Sequence, residues 1–482
     1  MLSAVVFAAL VGVTERPNVV VILADDLAWN DLEQPQHATP HLDRFAAQSC
    51  RFTQAYAAAP ICSASRAALL TGRSPARLHF EFVTKAEPGS QPIRGTDLQA
   101  PPYTLDLPES ETTVAELLRE GGYATALVGK WHLNRHHGGY LRWHPERGPM
   151  QHGFDVAVQT FGSHPYGRKR TDEPAPLRDG AFPKDELTER ACEFVRSRAD
   201  SDQPFFLLVS HYFVHTPVRS TVDWLERDIR RQFPDLDSKR VQYAVFVRQL
   251  DHLVGQLLAA LDDAGVADDT LVLFTSDNGG DPRFVDHGPL RGHKWSLYEG
   301  GIRVPWLVRW PGVVQAGATQ SSVVVGTDLL PTLAELAGVA LPARPLDGVS
   351  IVPLLRDSDA TLPPRTVLWS FPYYHPELEE AAAIEEAGVN DGRVPFLEPH
   401  AAVRVTGDPS QPDRKLLHFF ESQRTEGYVF DESGFVDETQ PLHWNEAERQ
   451  AATEVLFTQL HEHSARLPQP RSRKQQPAAE AR

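Results

Sequence analysis

The residues able to do chemistry lie in a few short stretches. In residues 60–73, Cys62 precedes a helix-forming run, Ala67 to Leu70, with Arg66 one turn on. Gly72 suits the left-handed residue that closes many helices. Cys62 is thus expected at a helix N-terminus, where unpaired N–H groups favour an anion, and Arg66 would add fixed positive charge. Taken alone, the stretch fits equally a surface helix with an ordinary buried cysteine. Asp25-Asp26 and Asp277-Asn278 each follow a short apolar run. An Asp after a strand often caps the next helix, but two adjacent carboxylates repel unless a cation lies between them. Asp25, Asp26, Asp277 and Asn278 form an all-oxygen set that suits Ca2+ or Mg2+ and matches zinc poorly. Lys130 and His132 follow another apolar run, and His136, His137, Arg142, His144, Arg147 and His152 crowd the next segment. That segment reads as a solvated cationic loop or as a rim for an anionic, hydroxyl-rich substrate. His211 and His215 follow a further run, and His287, Arg291, His293 and Lys294 lie in the loop after Asn278.

Positioning these groups calls for strands. Residues 18–24, 123–129, 204–210 and 270–276 are short, apolar and rich in β-branched or aromatic residues, the pattern of buried parallel strands. Open α/β sheets gather ligands at the carboxyl ends of such strands. Helices are expected over 39–47, 111–120 and 239–264. The last carries Tyr243, Val247, Leu250, Val254, Leu257 and Leu261 on one face, a core stripe, with Gly265 as its stop. Residues 79–110, rich in Pro, Gly and charge, read as a long functional loop.

The chain has 482 residues, too long for one ordinary domain, with 41% hydrophobic and 23% charged residues, a globular balance. Its net charge of -17 argues against non-specific nucleic-acid binding, though local cations can still build an anion pocket. Cys50, Cys62 and Cys192 are too few for a disulfide framework and leave at least one free thiol. Residues 1–16 open on an apolar run of signal-peptide length, which leads to an expectation of a periplasmic or secreted protein without a membrane span. A cytoplasmic protein with a misassigned start is the alternative.

In order along residues 17–365, these motifs resemble the type I sulfatases, the formylglycine-dependent branch of the alkaline phosphatase superfamily. They are the strand into Asp25-Asp26, Cys62-x-Ala64-x-Arg66 with Leu70-Thr71-Gly72-Arg73, and Gly129-Lys130-Trp131-His132. His215-x-Pro217, Ser276-Asp277-Asn278-Gly279 and Arg291-Gly292-His293-Lys294 through Tyr298-Glu299-Gly300-Gly301 complete the set. The resemblance implies an α/β fold: a large, mostly parallel mixed sheet flanked by helices, plus a small C-terminal α+β domain with an antiparallel sheet and a terminal helix. It implies a sulfuric ester hydrolase acting on a sulfated carbohydrate or an aryl or alkyl sulfate, with Cys62 oxidised to formylglycine by a maturation enzyme. Asp25, Asp26, Asp277, Asn278 and residue 62 would then ligate Ca2+, more readily than Mg2+. Arg66 and Lys130 would hold the hydrate and the ester, His132 would take a proton from the sulfated intermediate, and His215 and Lys294 would contact sulfate and protonate the leaving oxygen. His211 is a neighbour. Two positions depart from the family pattern: Ala64 replaces the usual proline, a form that radical-type maturation enzymes accept, and Ala28 replaces glycine. A phosphonate monoester or phosphodiester hydrolase with the same residues is one alternative, and a non-catalytic binding protein with unconverted Cys62 is another.

Residues 329–338 and 347–355 match the closing segments of the large domain. Short strands are expected at 365–371, 401–405, 415–420 and 427–430, giving a C-terminal unit over 366–466. Asn445 and Glu448 form a capping-box start for a last helix to about residue 462, with Ala451, Val455 and Leu456 on one face. An acidic stretch, 377–386, precedes a loop to His400, and residues 467–482 read as a disordered tail.

Overall fold

The computed structural model describes residues 16–91, 96–167, 176–376, 397–407 and 412–471. Residues 1–15, the acidic stretch with most of the loop after it, and the tail beyond residue 471 lie outside the described residues. Eight strands form the main sheet: β1 (Asn18–Ala24), β2 (Cys50–Phe52), β3 (Ala124–Gly129), β4 (Val156–Val158), β5 (Phe205–Ser210), β6 (Thr270–Ser276), β7 (Trp306–Arg309) and β8 (Thr319–Gln320). Their spatial order is β8-β2-β7-β6-β1-β5-β3-β4. All neighbours are parallel except β7, which runs antiparallel to β2 and β6. This is the large mixed sheet expected from the resemblance.

β1 lies at the centre because both of its faces are apolar. Val19, Val21 and Leu23 pack into one core with Leu69, Leu70, Val114 and Leu330. Val20, Ile22 and Ala24 pack into the other with Leu42, Phe45, Leu187, Phe246 and Leu250. The helices supplying these residues are α1 (Pro40–Ala47), α2 (Cys62–Thr71), α3 (Val114–Glu120), α4 (Glu186–Arg196), α6 (Ser238–Asp263) and α7 (Leu329–Ala337), while α5 (Asp223–Gln232) packs Leu225 and Ile229 on Val241 and Val245 of α6 in a separate cluster. α3 starts later than the expected residue 111. Thr113 and Glu116 form a reciprocal capping box there, while Glu111 pairs with Arg73 and Arg344 outside the helix.

The four-stranded antiparallel C-terminal sheet comprises β9 (Arg365–Phe371), β10 (His400–Thr406), β11 (Arg414–Phe419) and β12 (Thr425–Val429). Trp369, Phe371, Tyr373, Phe419 and Tyr428 pack against Tyr56, Ile61, Phe82 and Leu297 of the main unit. The last helix, α8 (Glu446–Glu462), starts at the expected capping box. Its buried face is formed by Leu456 and Leu460, whereas Ala451 and Val455 are exposed, correcting the expected stripe. Residues 469–470 pair with residues 98–99, so the start of the expected tail is ordered. Among the described residues no helix is long and apolar enough to cross a membrane.

Candidate active site

The sheet register explains why distant residues converge. Ala24 pairs with Ser276, Leu23 with Ser210, and Gly129 with Ser210, so four strands end at one level. The residues that follow are Asp25-Asp26, Asp277-Asn278, His211 and Lys130. Gly129 has φ +106°, and a Cβ there would collide with the Ser210 carbonyl oxygen, so glycine permits the close approach that delivers Lys130. Asp26 and His132 also adopt left-handed backbone, at φ 64° and 59°. Such conformations in non-glycine residues cluster at functional sites.

Cys62 is the first residue of α2, every residue of which is buried. Ile61, the N-cap, offers no side-chain hydrogen bond to the helix N-terminus. The Cys62 Sγ points at Asp25 Oδ1 (3.4 Å) and Asp26 Oδ1 (3.8 Å). Burial, with Asp277 adding repulsion, pushes the thiol well above its ordinary range. The thiolate is therefore disfavoured, and residue 62 as plain cysteine is a poor nucleophile.

Three cations face three carboxylates. Arg66 bonds Asp277 Oδ2 through Nε (2.8 Å), and its Nη1 donates to the Lys130 carbonyl (3.1 Å) and the Ser210 hydroxyl. Lys130 Nζ bridges both Asp25 oxygens at 2.9 and 2.7 Å. Lys294 Nζ lies 2.7 Å from Asp26 Oδ2. Burial opposes ionisation of Asp26, but Lys294, His215 and Lys130 outweigh it and hold the carboxyl below the usual range. Burial raises Asp277, with Arg66 opposing and Asp25 adding to the rise. Burial disfavours the charged lysines, yet Asp25 holds Lys130 up and Asp26 holds Lys294 well up.

His215 Nε2 stands 3.6 Å from Asp26 Oδ2. Its Nδ1 lies 2.7 Å from the Thr216 carbonyl oxygen and 2.6 Å from the Tyr166 hydroxyl. A carbonyl only accepts, so the neutral ring carries its proton on Nδ1 and turns Nε2 to the site. Burial and Lys294 lower His215 to about 3. Burial, then Lys130, keeps the His132 ring neutral, and its buried Nδ1 has no partner. His211 is buried with its backbone bonded to Leu23, a structural neighbour as expected. His152 packs on Trp131 instead of joining the rim, their rings 5.5 Å apart.

The residues present fit a hard divalent cation. Asp25, Asp26, Cys62 and His215 offer ligand atoms all within 4.8 Å of one another. The buried Asn278 Oδ1 has no partner, while its amide nitrogen donates to Asp26 Oδ1 at 2.7 Å. His215 approaches this centre, and Asp277 gives Oδ2 to Arg66 while its Oδ1 accepts from the Asp26 N–H at 3.2 Å. Formal charges of three carboxylates and three cations cancel, so a bound dication would leave the pocket positive for a sulfate monoester.

The sulfatase family model matches residues 17–339, and that for the C-terminal part of N-sulphoglucosamine sulphohydrolase matches residues 291–394. Human (Homo sapiens) arylsulfatase A is 36% identical over 405 residues, covering 78% of this chain and 75% of that protein. The chain belongs to the sulfatase family. The N-acetylgalactosamine-6-sulfatase of Rattus norvegicus is 33% identical over 377 residues, and the match spans 71% of this sulfatase-family chain and 66% of that protein. The crystal structure of Ps i-CgsB in complex with k-i-k-neocarrahexaose superposes with TM-score 0.69 at 26% identity over 93% of each chain. The phosphonate monoester hydrolase SpPMH from Silicibacter pomeroyi shares the fold, with TM-score 0.61 at 20% identity over 92% of this chain and 95% of that one.

Sequence reasoning missed Ser210 and Tyr166. Ser210 precedes the more conspicuous His211, and only strand register places its hydroxyl on Arg66. Tyr166 lies 49 residues before His215, and no spacing signal links them.

Proposed function

We propose that this chain is a Ca2+-dependent sulfuric ester hydrolase that releases sulfate from a sulfated carbohydrate or an aryl or alkyl sulfate. One observation carries the reading: a buried residue 62 at a helix N-terminus, aimed at two carboxylates and ringed by Arg66, Lys130 and Lys294. Bound Ca2+, held by Asp25, Asp26, Asp277, Asn278 and residue 62, would supply positive charge to the non-bridging oxygens of the ester. We propose further that a maturation enzyme converts Cys62 to formylglycine. Its hydrate would supply one hydroxyl for attack on sulfur and a second whose deprotonation would let sulfate leave as the aldehyde re-forms. The high-lying thiol supports this, since unmodified cysteine would stay protonated.

The chain's own residues then divide the work. Arg66 and Lys130 orient residue 62 and neutralise charge that develops in the transition state. Lys294 and His215 contact the ester, and one of them passes a proton to the departing alcohol oxygen. His215 is neutral beside Lys294, and a bound anion would favour its protonated form. His132, kept neutral with a free Nδ1, accepts the proton that accompanies sulfate release. The neighbour solved with k-i-k-neocarrahexaose supports a saccharide substrate. We propose a division near residue 365 into a catalytic part, 17–365, and a C-terminal part, 366–466, and export to the periplasm or medium.

The test compares turnover of an aryl sulfate with that of aryl phosphonate and phosphodiester substrates. The sulfate is expected to react with the highest kcat/KM, and Cys62→Ala and Lys294→Ala are expected to abolish turnover of a folded protein. Faster cleavage of the phosphorus esters, or near-normal turnover by either variant, overturns the reading.

A further inference from the structure

Tyr140 stands 51% exposed in the His- and Arg-rich segment after β3. Two lines of contact tie it to the candidate site. Its ring meets His136 at 5.2 Å between centroids, and His136 lies 5.9 Å from His132. It also meets Tyr166 at 5.1 Å, and the Tyr166 hydroxyl lies 2.6 Å from His215 Nδ1. The Tyr140 and Tyr166 hydroxyls are hydrogen-bonded, and Lys130, Cys62 and Asp25 act electrostatically on Tyr140. One ring thus links the two histidines that flank the buried cations, at the level where solvent begins. Neither ring contact is a parallel stack, with interplanar angles of 79° and 62°, and half of the side chain remains open.

An ester whose sulfate is held by the buried Arg66, Lys130 and Lys294 must turn its alcohol outward, toward the exposed Tyr140. A tyrosine braced on two sides offers that alcohol an apolar surface with little rotamer entropy left to lose. Aromatic surfaces favour flat or six-membered rings, either through aryl contact or through the C–H face of a pyranose, over flexible chains. We propose that Tyr140 is a specificity-determining platform that selects esters of ring-bearing alcohols over alkyl sulfates. This rests on the sulfate-ester reading of the site.

The test measures kcat and KM for 4-nitrophenyl sulfate, galactose 6-sulfate and butyl sulfate with wild type, Tyr140→Ala and Tyr140→Phe. The ring-to-alkyl ratio of kcat/KM is expected to fall about tenfold in Tyr140→Ala (about 1.4 kcal/mol), chiefly through KM, and to stay within about twofold in Tyr140→Phe. The ester showing the larger fall identifies the ring as aryl or pyranose. An equal loss on all three esters, or a Phe variant as impaired as the Ala variant, overturns the platform while leaving the sulfatase reading standing. Wild type that cleaves none of the three overturns both.

Discussion

Replacing Lys415 by methionine would remove the one ammonium that lies between two buried carboxylates, Glu299 at 2.8 Å and Glu438 at 2.9 Å. All three side chains are almost fully buried. Breaking such a pair from one side leaves uncompensated charge and costs about 3–5 kcal/mol. The unfolding entropy of a chain this long is about 1 kcal/mol/K, so Tm is expected to drop by about 3–5 °C. The damage reaches the candidate site through the backbone. Glu299 opens the turn whose Gly301 carbonyl accepts from Gly279, the residue after Asn278, and the same stretch begins at Lys294. A severalfold loss of kcat is expected beside the loss of stability. The pH dependence gives the sharper readout. Burial raises Glu438 to about 7, with Lys415 opposing and Glu299 adding to the rise. A carboxyl raised on folding keeps its proton in the native state while the unfolded chain has lost it, so its contribution to stability falls as pH rises from about 4.5 to about 7. Without Lys415 that carboxyl rises further and the fall extends to higher pH. Differential scanning calorimetry of both proteins between pH 6 and 8.5 should show a deficit that widens with pH. A deficit that is constant across this range, or an unchanged Tm, refutes the reasoning.

Glu81 is buried, and burial raises it to about 8 with only Ser370 and Arg466 opposing. The native carboxyl keeps its proton up to about pH 8 while the unfolded chain loses it near 4.5, so wild-type Tm should decline between those values and Glu81→Gln should flatten the decline, read by thermal melts across pH. Gly129→Ala sets a Cβ against the Ser210 carbonyl at φ +106° and should reduce both Tm and kcat, which calorimetry and aryl sulfate assays would check. Ca2+ at about 100 times its Kd should stabilise wild type by about 2.7 kcal/mol in melts of chelator-treated protein, and Asp26→Asn should abolish most of that shift.

The strand ends were legible because β-branched runs stop abruptly at Asp25, Lys130 and Asp277, so strand and ligand could be read together. Their common level was not, since register depends on pairs such as Leu23 with Ser210, far apart in sequence. Ser210, Tyr166 and the Glu299–Lys415–Glu438 cluster stayed hidden for the same reason: each acts through a partner on another element. Local chemistry misled twice. Glu111 looked like a helix start but serves Arg73 and Arg344, and Ala451 and Val455 looked inward although α8 rests on Leu456 and Leu460. The short pieces that sequence does read well are those whose signal is local, such as the cap at Asn445 and the left-handed Gly72.

The chemistry at residue 62 can be tested by peptide mass spectrometry joined to kinetics. Preparations matured to different extents, with and without a co-expressed maturation enzyme, would be digested to give the peptide spanning residues 52–66. The fraction of that peptide in which CH2SH has become CHO would be plotted against aryl sulfate turnover. Turnover proportional to the aldehyde fraction, reaching zero where only thiol remains, is the expected result. Full turnover from protein whose residue 62 is entirely thiol would contradict it.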